Sequence, residues 1–194
     1  HTMKPRKWEL EECWLDMSIK ENVSSLEIPE GISVSMVDKT ISIQGKLGTI
    51  KKDFTKLPAF LVVEKNIVKI QPYGKRRKDF AISKTAKSII NNMIKGVQNG
   101  YKYKMKVVFA HFPITVKVKD GKVFVENFFG ERKARISKIV GDSTKVTVEG
   151  EDIIISGPHL EDVSQTAANI ELSTRVKNKD QRVFLDGIYV YSRE

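Results

Sequence analysis

The chain has 194 residues, 40% of them hydrophobic and 30% charged, which is enough length and apolar side chain for one or two packed domains and excludes disorder as the default state. Cys13 is the only cysteine, so an intrachain disulfide and a multi-cysteine zinc site are both excluded, and no run approaches the roughly 20 apolar residues that span a bilayer. The net charge of +10 points to a polyanionic partner, either nucleic acid or an anionic membrane surface.

His1-Thr2 ahead of Met3 reads as the remnant of an expression tag, and no charged-then-apolar leader comes after it, which implies an intracellular protein. Residues 1–26 form an extension that carries Trp8 and Trp14, with three readings open: packing on the first domain, docking on a neighbouring protein, or disorder in isolation; the two tryptophans favour packing. Charge is uneven along the chain. Residues 1–30 hold four basic and seven acidic side chains, residues 31–110 seventeen and four, and residues 111–194 thirteen of each.

After the extension comes "IPEGISVSMVDKTISIQGKLGTIKKDF" (28–54), where apolar and polar side chains alternate, turn at Asp38-Lys39, alternate again and pass Gly48 into a basic stretch. That is the pattern of a strand, a hairpin and a strand. "FLVVEKNIVKI" (60–70) gives a second alternating pair around a short polar turn. "GKRRKDF" (74–80) reads as a basic loop presenting Lys75, Arg76, Arg77 and Lys78. A helix comes next, with Ser83 as its cap. Ala86, Ile89, Ile90, Met93, Ile94 and Val97 fall on one side of it, and Lys84, Lys87, Asn91, Lys95 and Gln98 on the other. Gly100 ends it, as glycine does where the backbone turns left-handed.

At Gly100 to Lys106 the period changes from helix to strand, which sets the joint between two domains, residues 27–104 and 105–194. Tyr101, Tyr103, Met105, Val107 and Phe109 point one way, and Lys102, Lys104 and Lys106 the other. If this lysine face adjoins that of the helix, the two make a continuous positive surface. The chain then repeats itself. "FPITVKVKDGKVFVENFFGERKARI" (112–136) echoes 28–54 with its turn at Asp120-Gly121, "KVTVEGEDIIIS" (145–156) echoes 60–70, and a second helix spans Leu160 to Leu172 with Glu161 and Asp162 in its first turn. Arg175, Lys177, Lys179 and Arg182 come next on a polar stretch, succeeded by an Asp186-Gly187 turn and a short strand. The fold class is therefore α+β, two tandem similar domains, each of antiparallel strands packed on one helix.

Catalytic chemistry finds no support. There is no glycine-rich loop ending in Lys-Ser or Lys-Thr, no HExxH and no GxSxG. His111 in an alternating strand and His159 beside a helix start read as structural. The lysine-bearing helix has no tryptophan or phenylalanine in its apolar stripe, which argues against a membrane anchor. No metal and no cofactor is expected, and nucleic acid remains as the partner. In "NFFGERKAR" (127–135) two phenylalanines precede a glycine and three basic residues, a composition suited to stacking and phosphate contact with RNA, although one of the rings would serve equally well in the core.

"NNMIKGVQNGYKYKMKVVFAHFPITV", "VENFFGE" and "QTAANIELSTRVKNKDQRVFLDGIYV" closely resemble the archaeal and eukaryotic branch of the ribosomal protein L6 family, over about residues 27–191. The family's fold, two copies of one small α+β unit, agrees with the repeat. The resemblance implies a non-enzymatic constituent of the large ribosomal subunit, cytoplasmic, a monomer within the ribosome, bound to large-subunit rRNA near the sarcin-ricin loop and beside neighbouring ribosomal proteins. The alternative is a free-standing nucleic-acid-binding module of the same fold. Family members contact RNA chiefly through the second domain, which carries over to Arg132, Lys133, Arg135, Arg175, Lys177, Asn178, Lys179 and Arg182. Charge alone selects the first domain, so Lys75, Arg76, Arg77, Lys84, Lys87, Lys95, Lys102 and Lys104 are expected as a secondary basic surface.

Overall fold

A computed structural model describes residues 24–64, 67–74, 76–180 and 182–194. Trp8, Trp14 and Cys13, the tag remnant and Lys75 lie outside the described residues.

The first unit contains β1 (Ser24–Glu27), β2 (Ser33–Val37), β3 (Thr40–Gly45), β4 (Gly48–Asp53), β5 (Ala59–Glu64), β6 (Ile67–Pro72) and α1 (Arg77–Gln98). Its strands form two antiparallel three-stranded sheets in the orders β2-β3-β4 and β1-β6-β5. The second unit contains β7 (Tyr101–Val108), β8 (Thr115–Lys119), β9 (Lys122–Glu126), a 3-10 turn (Phe128–Gly130), β10 (Arg135–Lys138), β11 (Lys145–Glu149), β12 (Asp152–Gly157), α2 (Leu160–Ser173) and β13 (Gly187–Arg193). Here the sheet orders are β10-β9-β8 and β11-β12-β7-β13. The repeat read from the sequence is thus a repeat of structure, with β13 as an additional strand that has no counterpart among the described residues of the first unit.

Alternation decides which side chains enter each core. Ile41 and Ile43 of β3, Val68 and Ile70 of β6, and Ala86, Ile90 and Val97 of α1 are fully buried together. Met105, Val125, Ile153, Ile155, Val163 and Ile170 do the same in the second unit. Removing an isoleucine or valine side chain from water is worth about 1.5–3 kcal/mol, so each core is held by the sum of many such terms. The expected hairpin turns are present, and Asp38 (φ 55°), Asp120 (φ 50°) and Gly121 (φ 67°) take the left-handed geometry that tight hairpins require. Gly100, at φ +74°, lies just past the end of α1.

Several expectations are corrected. Ser83 is not a cap. It is buried inside α1, where its hydroxyl donates to the Phe80 carbonyl at 2.9 Å. The helix begins at Arg77, and the Asp79 carboxylate accepts the backbone N–H of Arg76 at 3.1 Å, so an acid three residues in satisfies the helix start. Arg77 and Lys78 are therefore first-turn residues and not part of a loop. The basic stretch after Gly48 is a third strand, because Ile50 carries the alternation inward between the exposed Thr49 and Lys51. Phe109 does not continue the inward row of β7 but is exposed.

The joint also differs in detail. β7 pairs from Tyr101 onward with β12 on one side and, from Tyr103, with β13 on the other, so the strand that crosses position 104 lies whole within the second sheet. At the other end β1 pairs with β6, which brings residues 24–26 into the first sheet. α1 packs on β6, β1 and β3. The lysine rows of α1 and β7 thus belong to different layers of different units, and Lys104 is already met by Glu194. The units touch where Gly96 lies under Pro158, so closely that an added Cβ would sit 2.0 Å from the Pro158 carbonyl oxygen. Lys52 and Glu161 pair across the same seam at 2.6 Å.

Candidate nucleic-acid interface

Three segments of the second unit converge at one end of it: residues 109–113 after β7, residues 127–135 around the 3-10 turn, and residues 174–186 after α2. Apart from the 3-10 turn and the start of β10, the described residues of these segments lie outside helices and strands, so side chains do much of the holding. Thr174, almost fully buried, accepts the Ile188 N–H at 3.1 Å and donates to the Glu171 carbonyl at 3.1 Å, tying the helix end to β13. Val176 drops into the core beside it.

Arg135 is the second anchor. Its Nη1 donates to the carbonyls of Ser173 (2.9 Å) and Arg175 (3.2 Å), and its Nε and Nη2 donate to the Glu131 carboxylate at 2.9 and 2.6 Å. The guanidinium lies 4.1 Å from the Phe128 ring centroid. A planar fork of donors can serve two carbonyls and a carboxylate at once, which an ammonium could not do in this geometry. The same bonds hold the Glu131 carboxyl below the ordinary carboxylate range. Arg135 belongs to the set that the family resemblance marks as RNA contacts. The structure instead turns its guanidinium inward as a clamp between the 3-10 turn and the end of α2.

Asp186 is the third anchor and is only 2% exposed. One carboxylate oxygen accepts the backbone N–H groups of Ala110 (2.7 Å) and His111 (3.1 Å), and the other meets His111 Nδ1 at 2.8 Å. Burial pushes its pKa up, but the hydrogen bonds from Ala110 and His111 outweigh burial and hold the carboxyl below its ordinary value. An ionised carboxylate can only accept, so His111 carries a proton on Nδ1. The Asp186-Gly187 pair expected as a turn is therefore a buried acceptor and, next to it, the first residue of β13.

Aromatic rings fill the space between the anchors. His111 stacks on Phe184 with centroids 4.8 Å apart, and Phe129 stands edge-on to both Phe128 (4.7 Å) and Phe184 (5.8 Å). Phe128 is the core phenylalanine of the pair. Phe129, at φ 51°, is half-buried. Lys179 Nζ lies 4.7 Å from the Phe184 centroid and 5.7 Å from that of Phe129, a cation held over ring faces.

On this frame Arg132, Lys133, Arg175, Lys177 and Arg182 are exposed and have no ion-pair partner among the described residues. Asn178 adopts φ 59° at the bend of its segment, and Asp180 accepts the Arg182 backbone N–H at 3.0 Å. The structure therefore brings Arg132, Lys133, Arg175, Lys177, Lys179 and Arg182 to one end of the second unit. The secondary set is dispersed: Arg76 and Arg77 at the start of α1, Lys84, Lys87 and Lys95 along its length, and Lys102 and Lys104 on the outer face of the four-stranded sheet.

Sequence reasoning misses Asp186, and it misses Phe109 and Phe112 as exposed rings. Alternation carries Phe109 inward by inertia, whereas β7 ends one residue earlier. No local signal marks Asp186, because its partners lie 75 and 76 residues away. Among the described residues no group of three or more His, Cys, Asp or Glu could hold a metal ion, and no helix is long and apolar enough to cross a membrane.

The model of the family described as ribosomal protein L6 matches residues 28–100 and again residues 112–187, once on each unit. The chain is 46% identical over 169 residues to the large ribosomal subunit protein uL6 of Staphylothermus marinus, covering 86% of this chain and 91% of that protein. It is 43% identical over 173 residues to uL6 of Aeropyrum pernix, covering 89% and 94%, and 45% identical over 169 residues to uL6 of Thermoplasma acidophilum, covering 87% and 94%.

Proposed function

The chain belongs to the ribosomal protein L6 family, and from that premise we propose that it is a constituent of the large ribosomal subunit which binds large-subunit rRNA near the sarcin-ricin loop, chiefly through its second unit. As a member of that family it is a structural, non-enzymatic protein. The observation that carries the RNA contact is the set of exposed cations on segments fixed by Thr174, Arg135 and Asp186. Segments held in place lose little backbone freedom when their cations meet phosphates, and neutralising phosphates releases condensed counterions. The spacing of such a set reads the shape of folded RNA and not a linear sequence.

The lysine-rich first unit then meets adjoining RNA or neighbouring ribosomal proteins. We place the junction between the units at Asn99-Gly100, where α1 ends and the second sheet begins. Affinity for the cognate RNA is expected to fall steeply with salt, with a log-log slope on the order of −4 for about five phosphate contacts. A flat response would count against the proposal. Sedimentation of the tagged protein with large subunits in high salt separates the ribosomal reading from that of a free-standing module, which would wash off.

A further inference from the structure

Resting on the RNA-binding reading, we propose that Phe112, three residues after the exposed Phe109, is a stacking site for an unpaired nucleobase. Phe109 is 41% exposed and Phe112 45% exposed, within four residues of chain. Burying a phenylalanine is worth about 1.5–3 kcal/mol, so two rings left in water on a segment that is otherwise firmly held call for an occupant.

The segment is held firmly. Asp186 fixes it through two backbone N–H groups and the His111 ring, and His111 in turn stacks on Phe184. The Asn127 side-chain amide donates to the Pro113 carbonyl at 3.0 Å and ties it to the 3-10 turn. Phe112 reaches that turn, since its ring atoms lie 3.7 and 3.8 Å from where a Cβ on Gly130 would stand. A ring pre-set in this way gains stacking energy at little cost in ordering entropy.

Charge selects the occupant. Arg132 and Lys133 come two and three residues after Gly130 and are exposed. The nearby acids are engaged internally, Glu131 in an ion pair with Arg135 and Asp186 by the N–H groups of Ala110 and His111. A ring packed against a turn whose next residues are exposed cations without an ion-pair partner suits a flat π-system that carries a phosphate, and disfavours an apolar protein segment. A paired base has both faces covered by its neighbours, so the fit is to an unpaired one.

The test compares the full chain with Phe112→Leu, which keeps the apolar bulk and removes the ring, and with Phe112→Tyr, which keeps the ring. The probes are a short single-stranded oligoadenylate containing 2-aminopurine and a blunt RNA duplex of equal length. Single-strand affinity is expected to fall roughly tenfold in Phe112→Leu and to be retained in Phe112→Tyr, with stacking seen as quenching of the 2-aminopurine and duplex affinity unchanged. Equal single-strand binding by the leucine variant would overturn the stacking site, as would equal losses on both probes. Loss of sedimentation with large subunits while oligonucleotide binding stays intact would overturn it in favour of a protein contact. If the unaltered chain binds neither probe nor large-subunit rRNA, the RNA-binding reading itself falls. Binding of both with no effect at Phe112 sinks only this inference.

Discussion

The two units share their inward residues and differ in their outward ones. Leu61 and Val63 of β5 and Val146 and Val148 of β11 point to equivalent cores, while the outward positions beside them are Phe60 and Val62 in one unit and Lys145 and Thr147 in the other. Charge is divided in the same spirit. Residues 31–110 hold thirteen more basic than acidic side chains, spread over a helix, a basic turn and several strands, whereas residues 111–194 are balanced. Yet it is the balanced half that commits its carboxylates to fixing a frame, Glu131 on Arg135 and Asp186 on the 109–113 segment, and leaves a group of cations unpaired on top of it. A neutral total can therefore hide a sharply cationic end, and a large total can be diffuse.

The most severe way to break this comparison is to weaken the frame and keep the cations. Asp186→Asn removes the buried negative charge and sets an amide NH2 or a single shared oxygen against the three N–H groups that the carboxylate accepts, and is expected to cost about 2 kcal/mol of stability, measured by urea denaturation. RNA affinity should fall with it although no cation is lost. Undiminished affinity would show that the frame is dispensable. The same residue predicts a pH effect. Because its folded pKa lies below the ordinary 3.8, Asp186 contributes stability above that value, and the contribution is lost as pH falls through the depressed folded pKa. The asparagine variant should therefore lose less stability than the wild type over that acid range.

Charge placement is tested next. Lys177→Ala with Arg182→Ala should weaken binding to the cognate RNA by about tenfold and flatten the salt dependence by roughly 1.5 in log-log slope, while Lys84→Ala with Lys87→Ala does less. The reverse ranking, read from paired titrations at two salt concentrations, would make bulk charge the better guide. The smallest effect is expected at the seam between the units. Lys52→Ala removes an ion pair whose partner is more than half exposed, and stability should change by less than about 1 kcal/mol. A larger loss in thermal denaturation would mean that the seam couples the units more strongly than a solvated pair can.

What the sequence determined by itself was whatever repeats at short range. Alternation with period two marks the hairpins at Asp38 and Asp120, the three-and-four spacing from Ala86 to Val97 marks α1, and Gly100 marks its end, because each depends on a few neighbouring residues. Even there a local rule can misplace a boundary, since Ser83 has the chemistry of a cap that Asp79 makes unnecessary. The tertiary structure alone decided that β7 joins β12 and β13, that Arg135 turns inward to carbonyls 38 and 40 residues away, and that Asp186 reaches back to His111. A side chain that can donate or accept does not announce its partner. That choice is made when distant segments are brought together and leaving a buried polar group without a bond is costly.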